Sequence, residues 1–181
     1  MSLFRVYIAI SIDGYIADSD GGVAWLDPYF SDEIDFAGFS STIGATVVGR
    51  RTFDQFGASQ EWTPPSARTL ILTHRPIEDL PDGLECYDGP VADLASTLRT
   101  ELGGTGKDVW LMGGGDSIRP FHEAGLVDRW ELFTMPVLLG CGVPLFPPGT
   151  PTGLELRPTH SRTYGNGIIE VWYEPRRDTA S

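Results

Sequence analysis

Strand-like apolar runs alternate with helical patterns in this chain as far as Ala124, and beyond that point only strands follow. Phe4 to Ile12, Ala45 to Val48, Thr69 to Thr73, Glu85 to Tyr87 and Asp108 to Met112 read as strands, rich in branched and aromatic residues. Between them, Asp32 to Thr42, Thr52 to Phe56, Val91 to Leu102 and Ser117 to Ala124 read as helices. The remainder holds Arg129 to Met135, Leu154 to Tyr164 and Ile168 to Glu174, the last two joined by a Tyr164-Gly165-Asn166-Gly167 turn that predicts an antiparallel hairpin. Strand-helix alternation demands parallel pairing with helical crossovers, whereas a hairpin tail adds antiparallel strands at an edge. The predicted class is therefore α/β, with a mostly parallel central sheet and antiparallel C-terminal edge strands. Pro144 to Pro151 reads as a surface loop, because the strands after it are too few to fold alone. Residues 1–181 are expected to form a single domain.

Charge narrows the partners. The formal net charge is −12, from 13 basic and 25 acidic residues, which repels phosphodiester backbones and anionic lipid surfaces. Neither nucleic acid nor a membrane is an expected partner, and no apolar run approaches the roughly 20 residues of a membrane helix. Cys86 and Cys141 are the two cysteines and lie in no metal-ligand spacing, so no metal site and a cytoplasmic location are expected. Residues 1 to 42 carry Arg5 against Asp13, Asp18, Asp20, Asp27, Asp32, Glu33 and Asp35. Between Ile43 and Arg75 the sign reverses, with Arg50, Arg51, Arg68 and Arg75 against Asp54 and Glu61. That reversal marks either a local anion site or a solvated basic face.

Three strand ends carry groups that suit a phosphate. Val109-Trp110-Leu111-Met112 runs into Gly113-Gly114-Gly115 and then Asp116-Ser117, where a helix can start. Glycines there admit close backbone approach, and a helix start offers unpaired N–H groups. Thr46-Val47-Val48 ends in Gly49-Arg50-Arg51-Thr52, and Leu70-Ile71-Leu72 ends in Thr73-His74-Arg75. Parallel strands would bring these three ends to one edge of the sheet, where α/β folds bind ligands. A fourth segment, Ala9-Ile10-Ser11-Ile12-Asp13-Gly14-Tyr15-Ile16-Ala17, leaves the first strand through an Asp-Gly turn toward the polar loop before Trp25. It reads as a lid over a ring-shaped ligand or as an ordinary turn.

In this order and spacing the segments resemble the dihydrofolate reductase-like superfamily. The likeness is greatest to the C-terminal reductase domain of bifunctional riboflavin-biosynthesis deaminase/reductases and its stand-alone bacterial relatives. Ser11 to Ala17 resembles the opening motif, Val48 to Phe53 the second and Trp110 to Gly115 the third. Leu126-Val127-Asp128, Pro136 to Gly140, Gly142 and Pro144-Leu145-Phe146 resemble the downstream signature.

The resemblance implies a three-layer fold and a homodimeric reductase that binds NADPH and a small-molecule substrate. Gly49, Arg50, Arg51 and Thr52, with Gly113, Gly114, Gly115, Asp116 and Ser117, would hold the pyrophosphate. Thr73, His74 and Arg75 would recognise the 2′-phosphate, and Ala9, Ile16 and Ala17 would line the nicotinamide. It further implies a cis peptide between Gly113 and Gly114. Asp13 and Glu33 are the candidate catalytic carboxylates, with Asp32 and Asp35 adjacent to the second. The region matching the family's ribosyl-phosphate stretch reads Gly22 to Pro28, which is acidic and lacks arginine. No His-x-Glu with Pro-Cys-x-x-Cys is present, so no deaminase accompanies the reductase in this chain. The expected activity is hydride transfer to a small heterocyclic or carbonyl substrate. The alternatives are the pyrimidine reductase of riboflavin synthesis, a dihydrofolate reductase, and a dimeric nucleotide-binding module without turnover. Trp172 and Tyr173 fit either a dimer surface or the core. Trp62, beside Pro64-Pro65, fits a cleft border or a loop anchor, and His122 and His160 are expected to be structural.

Overall fold

A computed structural model describes residues 1–57, 68–151 and 153–176. In chain order the elements are β1 (Phe4–Ser11), β2 (Tyr15–Ala17), a 3-10 helix (Ala24–Tyr29), α1 (Phe36–Ser41) and β3 (Ile43–Gly49). The short α2 (Arg50–Thr52) then runs into a π-helical turn (Phe53–Gly57), before β4 (Arg68–Leu72), β5 (Leu84–Tyr87) and α3 (Val91–Glu101). β6 (Asp108–Gly113), α4 (Gly115–Glu123), β7 (Arg129–Met135), β8 (Val143–Pro144), β9 (Leu156–Thr163) and β10 (Ile169–Pro175) complete the chain.

Eight strands form one sheet in the order β5-β4-β3-β6-β1-β7-β10-β9. The first six are mutually parallel, and β10 and β9 join antiparallel, as the alternation and the hairpin signal predict. The hairpin closes on Gly167, whose N–H donates to the Tyr164 carbonyl at 3.0 Å and whose φ of 87° suits glycine. Helices cover both faces, because strand side chains alternate. Phe4, Val6, Val47 and Leu111 pack with Leu94 and Leu98 of α3 and Phe121 of α4. On the opposite face Ile43 and Trp110 pack against Phe39 of α1.

Two local expectations change. The helix predicted over Asp32 to Thr42 begins only at Phe36, since the Asp35 carboxylate accepts from Gly38 N–H at 2.7 Å and so caps it. Asp32 and Glu33 therefore share no helical face with the later residues. The segment after the Asp13-Gly14 turn is a strand of its own, with β2 pairing antiparallel to β8 across more than a hundred residues of sequence. Cys86 and Cys141 are free and exposed. Among the described residues no helix is long and apolar enough to cross a membrane, and no group of His, Cys, Asp and Glu could hold a metal.

Candidate active site

The parallel strands β5, β4, β3, β6 and β1 stand side by side, and their C-terminal ends open into one cleft of about 760 Å³. Tyr87 comes from β5, Leu72 and Thr73 from the end of β4, Gly49 from β3, Met112 and Gly113 from β6, and Ile8 and Ala9 from β1. At about 4.8 Å per strand the cleft crosses roughly 19 Å of sheet, so it suits an extended ligand. Ile16 and Ala17 of β2, Val143 of β8 and Leu26 of the 3-10 helix wall its β1 end.

Glycine is required where α4 meets the sheet. A Cβ on Gly49 would lie 2.6 Å from Ser117 Oγ, and one on Gly115 would lie 2.6 Å from the Leu145 carbonyl oxygen. The start of α4 is thereby drawn against the end of β3. The Gly113–Gly114 peptide is cis, as the resemblance implies, and Gly113 has a φ of 114°. Gly114 caps α4 without a side-chain hydrogen bond, while Ser117 N–H and Oγ both donate to its carbonyl, at 3.0 and 2.8 Å. Ser117 N–H is thus already engaged, and the N–H groups ahead of it in the first turn, those of Gly115 and Asp116, start at the cleft wall, where a helix supplies them no carbonyl. The register between β3 and β6 slips between Val47 and Val48, whose partners are Leu111 and Gly113. This bulge leaves Met112 unpaired at the cleft.

Of the expected nucleotide residues, Ala9, Ile16, Ala17, Gly49, Arg50, Arg51, Thr52, Thr73, His74, Gly113, Gly114, Gly115, Asp116 and Ser117 all line the cleft. Arg75 does not. Its N–H donates to Thr73 Oγ1 at 3.0 Å, which turns the chain just beyond β4, and its side chain is exposed. Arg50 spends its guanidinium on structure, with Nε on Asp54 Oδ1 at 2.6 Å and Nη1 donating to the carbonyls of Arg75 and Pro76 at 3.4 and 3.3 Å. Arg51, exposed on the cleft wall, makes no ion pair among the described residues.

Neither candidate carboxylate lines the cleft. Asp13 accepts from Ser11 Oγ at 2.6 Å, Gly140 N–H at 2.7 Å and Leu139 N–H at 3.2 Å, tying the first turn to the loop after β7. These bonds, led by that from Ser11, hold its carboxyl below the usual aspartate range. Glu33 lies on the surface, 3.9 Å from Arg162 of β9. The apolar β1 end is thus walled without a carboxylate, because the turn that carries Asp13 faces the loop at Gly140.

Sequence reading missed Gln55 and Phe56 of the π-helical turn, Trp110, Val23, Leu26 and Val143, all of which line the cleft. Gln55 Nε2 donates to the Gly21 carbonyl at 2.8 Å, joining the segment after β3 to the loop after β2. Strand-end counting could have supplied Leu72, Tyr87 and Met112; nothing local marks Val143, which arrives through the β2–β8 pairing. Trp172 Nε1 donates to Glu170 at 2.6 Å and its ring sits 5.2 Å from the Arg129 guanidinium, while Tyr173 packs with the core cluster beneath α3 and α4. His122 Nε2 contacts the Pro151 carbonyl oxygen at 3.3 Å, and His160 lies 3.8 Å from Glu170. Trp62 lies outside the described residues.

The RibD C-terminal domain pattern matches residues 62–170. The chain belongs to that family. The match spans β4 to the start of β10, and so includes the glycine junction and its helix. Outside the family pattern, the uncharacterised Bacillus subtilis protein YyaP is 26% identical over 179 residues, covering 92% of this chain and 91% of its own. YwjB of the same organism is 27% identical over 143 residues, covering 78% and 80%. A Shewanella sp. PV-4 structure named for riboflavin biosynthesis superposes with a TM-score of 0.81 at 26% identity, covering 97% of this chain and 99% of that one. The Thermotoga maritima deaminase/5-amino-6-(5-phosphoribosylamino)uracil reductase shares the fold at 16% identity and a TM-score of 0.67. That superposition covers 97% of the present chain and 57% of the larger protein. The dihydrofolate reductase-like fold read from the motifs is the fold of these RibD relatives.

Proposed function

We propose that this RibD-type domain is an NADPH-dependent reductase that transfers a hydride to a small heterocyclic or carbonyl substrate. The carrying observation is the cleft, in which residues from five neighbouring strand ends and the start of α4 meet along one line. The donor set fits the cofactor. Gly49 and Gly115 leave no room for a side chain between the strand ends, α4 and the 144–145 backbone, and α4 begins there with the N–H groups of Gly115 and Asp116, so a pyrophosphate would be met by backbone donors. Arg51, Thr73 and His74 supply a cation, a hydroxyl and an imidazole farther along the same wall, the groups a 2′-phosphate needs. Ala9, Ile16 and Ala17 present a small apolar surface for a flat ring.

When bound, the nicotinamide supplies the hydride. The chain's part is to orient that ring against the substrate and to keep bulk water from the β1 end, where Ile8, Ile16, Leu26 and Trp110 line the cleft. Because that wall contributes no carboxylate, the accompanying proton comes from solvent. A cytoplasmic homodimer is the matching assembly.

Calorimetric titration of NADPH and of NADH tests the reading. Micromolar NADPH binding, about −8 kcal/mol, weakened by His74→Ala while NADH binding is unchanged, is the expected result. Failure of both nucleotides to bind overturns it.

A further inference from the structure

One carboxylate of the cleft stands among the groups that suit the 2′-phosphate. Asp88 follows directly on β5 and lines the cleft, together with Tyr87, Gly89, Pro90 and Val91. Its place is fixed by backbone. β4 and β5 run parallel with Leu72 opposite Tyr87, and the Thr73 N–H donates to the Tyr87 carbonyl at 3.0 Å. Asp88 therefore leaves its strand beside Thr73 and His74. Tyr87 Oη donates to the Pro90 carbonyl at 2.8 Å, and a Cβ on Gly89 would lie 2.7 Å from that same Oη. The turn after β5 is thus folded tightly over the phenol, and Asp88 is its first residue.

The charges at this end oppose one another. Asp88 is exposed and has no hydrogen bond or ion pair among the described residues. Arg51 is unpaired in the same sense, whereas Arg50 is held by Asp54 and two carbonyls, and Arg75 does not line the cleft. One open guanidinium and one open carboxylate thus share the wall at the β3, β4 and β5 ends. The other carboxylate on the cleft wall, that of Asp116, stands at the start of α4 beyond β3. A 2′-phosphate carries roughly −1.5 to −2 charges near neutrality. Beside Asp88 it meets a like charge, which disfavours it even through partial screening. A ribose 2′-hydroxyl meets the same group as a donor meets an acceptor. In other dinucleotide-binding folds an acid near a strand end takes this hydroxyl and suits the unphosphorylated cofactor. Thr73, His74 and Arg51 pull one way and Asp88 the other.

We propose that Asp88 is a specificity-determining residue of the nucleotide end, accepting from the ribose hydroxyl of NADH and opposing the 2′-phosphate of NADPH, so that the chain takes both cofactors. The inference rests on the reductase reading. It goes beyond that reading by naming the residue that sets the balance between the two nucleotides.

The test is calorimetric titration of NADPH, NADH, 2′,5′-ADP and 5′-AMP into the full chain, as the parent, as Asp88→Asn and as Asp82→Asn. The last two probes differ only by the 2′-phosphate and carry no nicotinamide. The parent should bind NADPH and NADH with affinities within about tenfold of each other. Asp88→Asn should raise the NADPH-to-NADH affinity ratio at least about fivefold, with a matching change between 2′,5′-ADP and 5′-AMP. Asp88 makes no internal bond among the described residues, so the variant should melt as the parent does. Asp82→Asn removes the same charge ahead of β5, outside the cleft, and should leave the ratio unmoved. A parent preference beyond tenfold overturns the proposal, as does an unmoved ratio in Asp88→Asn, an equal loss of both nucleotides there, or an equal shift in Asp82→Asn; in each case the reductase reading stands. If neither NADPH nor NADH binds the parent, the reductase reading itself fails and this inference falls with it.

Discussion

Gly49 and Ser117 face each other so closely that a Cβ on the glycine would lie 2.6 Å from the serine Oγ and 3.0 Å from its Cβ. The end of β3 and the first turn of α4 are separate in sequence, yet this contact sets the width of the cleft where they meet. Gly49→Ala must push them apart or displace Ser117 from its bond to the Gly114 carbonyl. The expected cost is about 1–3 kcal/mol of stability, with a loss of NADPH affinity. Adding Ser117→Gly should return most of the melting temperature. If Gly49→Ala melts and binds like the parent, the close approach is unimportant.

Arg50 and Arg51 are adjacent but should fail differently. Arg50 bonds Asp54 and the carbonyls of Arg75 and Pro76, so Arg50→Ala should loosen the link between the segments after β3 and β4 and lower the melting temperature. Arg51 lines the cleft without an ion pair among the described residues, so Arg51→Ala should spare stability. Its NADPH affinity should fall by about 1.5–3 kcal/mol, the typical worth of a charge-assisted bond. Calorimetry and thermal melts on both variants decide the matter; the opposite pattern would exchange the two roles.

Glu131 is buried in the sheet and receives two hydrogen bonds from Arg5, at 2.5 and 2.9 Å. Glu131→Gln leaves a buried guanidinium facing a neutral amide, with Asp108 alone among the described residues pairing with it. A loss of about 3–5 kcal/mol is expected for breaking such a pair from one side. Urea unfolding measures it, and a change below about 1 kcal/mol would put this pair in the class of surface salt bridges.

Burial, followed by its hydrogen bond to Glu170 at 2.6 Å, pushes Tyr164 up to about 12 from 10.0. A folded-state value above the unfolded one means the native state holds its proton longer as pH rises. The resulting stability is fully present below pH 10 and is lost between about 10 and 12. Urea midpoints measured across that interval should fall, and the fall should be shallower in Tyr164→Phe, with Tyr7 supplying part of what remains. An identical slope in the variant would contradict the assignment.

Asp13 joins the first turn to the backbone of Leu139 and Gly140. Asp13→Ala should therefore speed amide exchange at those two residues and loosen β2, which the same turn delivers to the cleft. Unchanged exchange together with lost turnover would instead point to direct substrate contact.

Local chemistry made much of this molecule legible in the sequence. Alternating strands and helices, and then a hairpin, already imply a parallel sheet with an antiparallel edge, because each period fixes an element and each connection limits its pairing. Gly49, Gly113 to Ser117 and Thr73-His74 could be assigned to one ligand edge for the same reason, since parallel strands end on the same side. What each side chain does there was decided by tertiary contacts. Asp13 turned to the loop at Gly140, Arg50 to carbonyls beyond β4, and Glu33 toward Arg162. Asp35 shortened the first helix by capping it, and Val143 entered the cleft through a strand pairing that spans most of the chain. Periodicity describes neighbours along the backbone, whereas a carboxylate or guanidinium takes the nearest partner in space, and that partner is set by sheet order and loop packing.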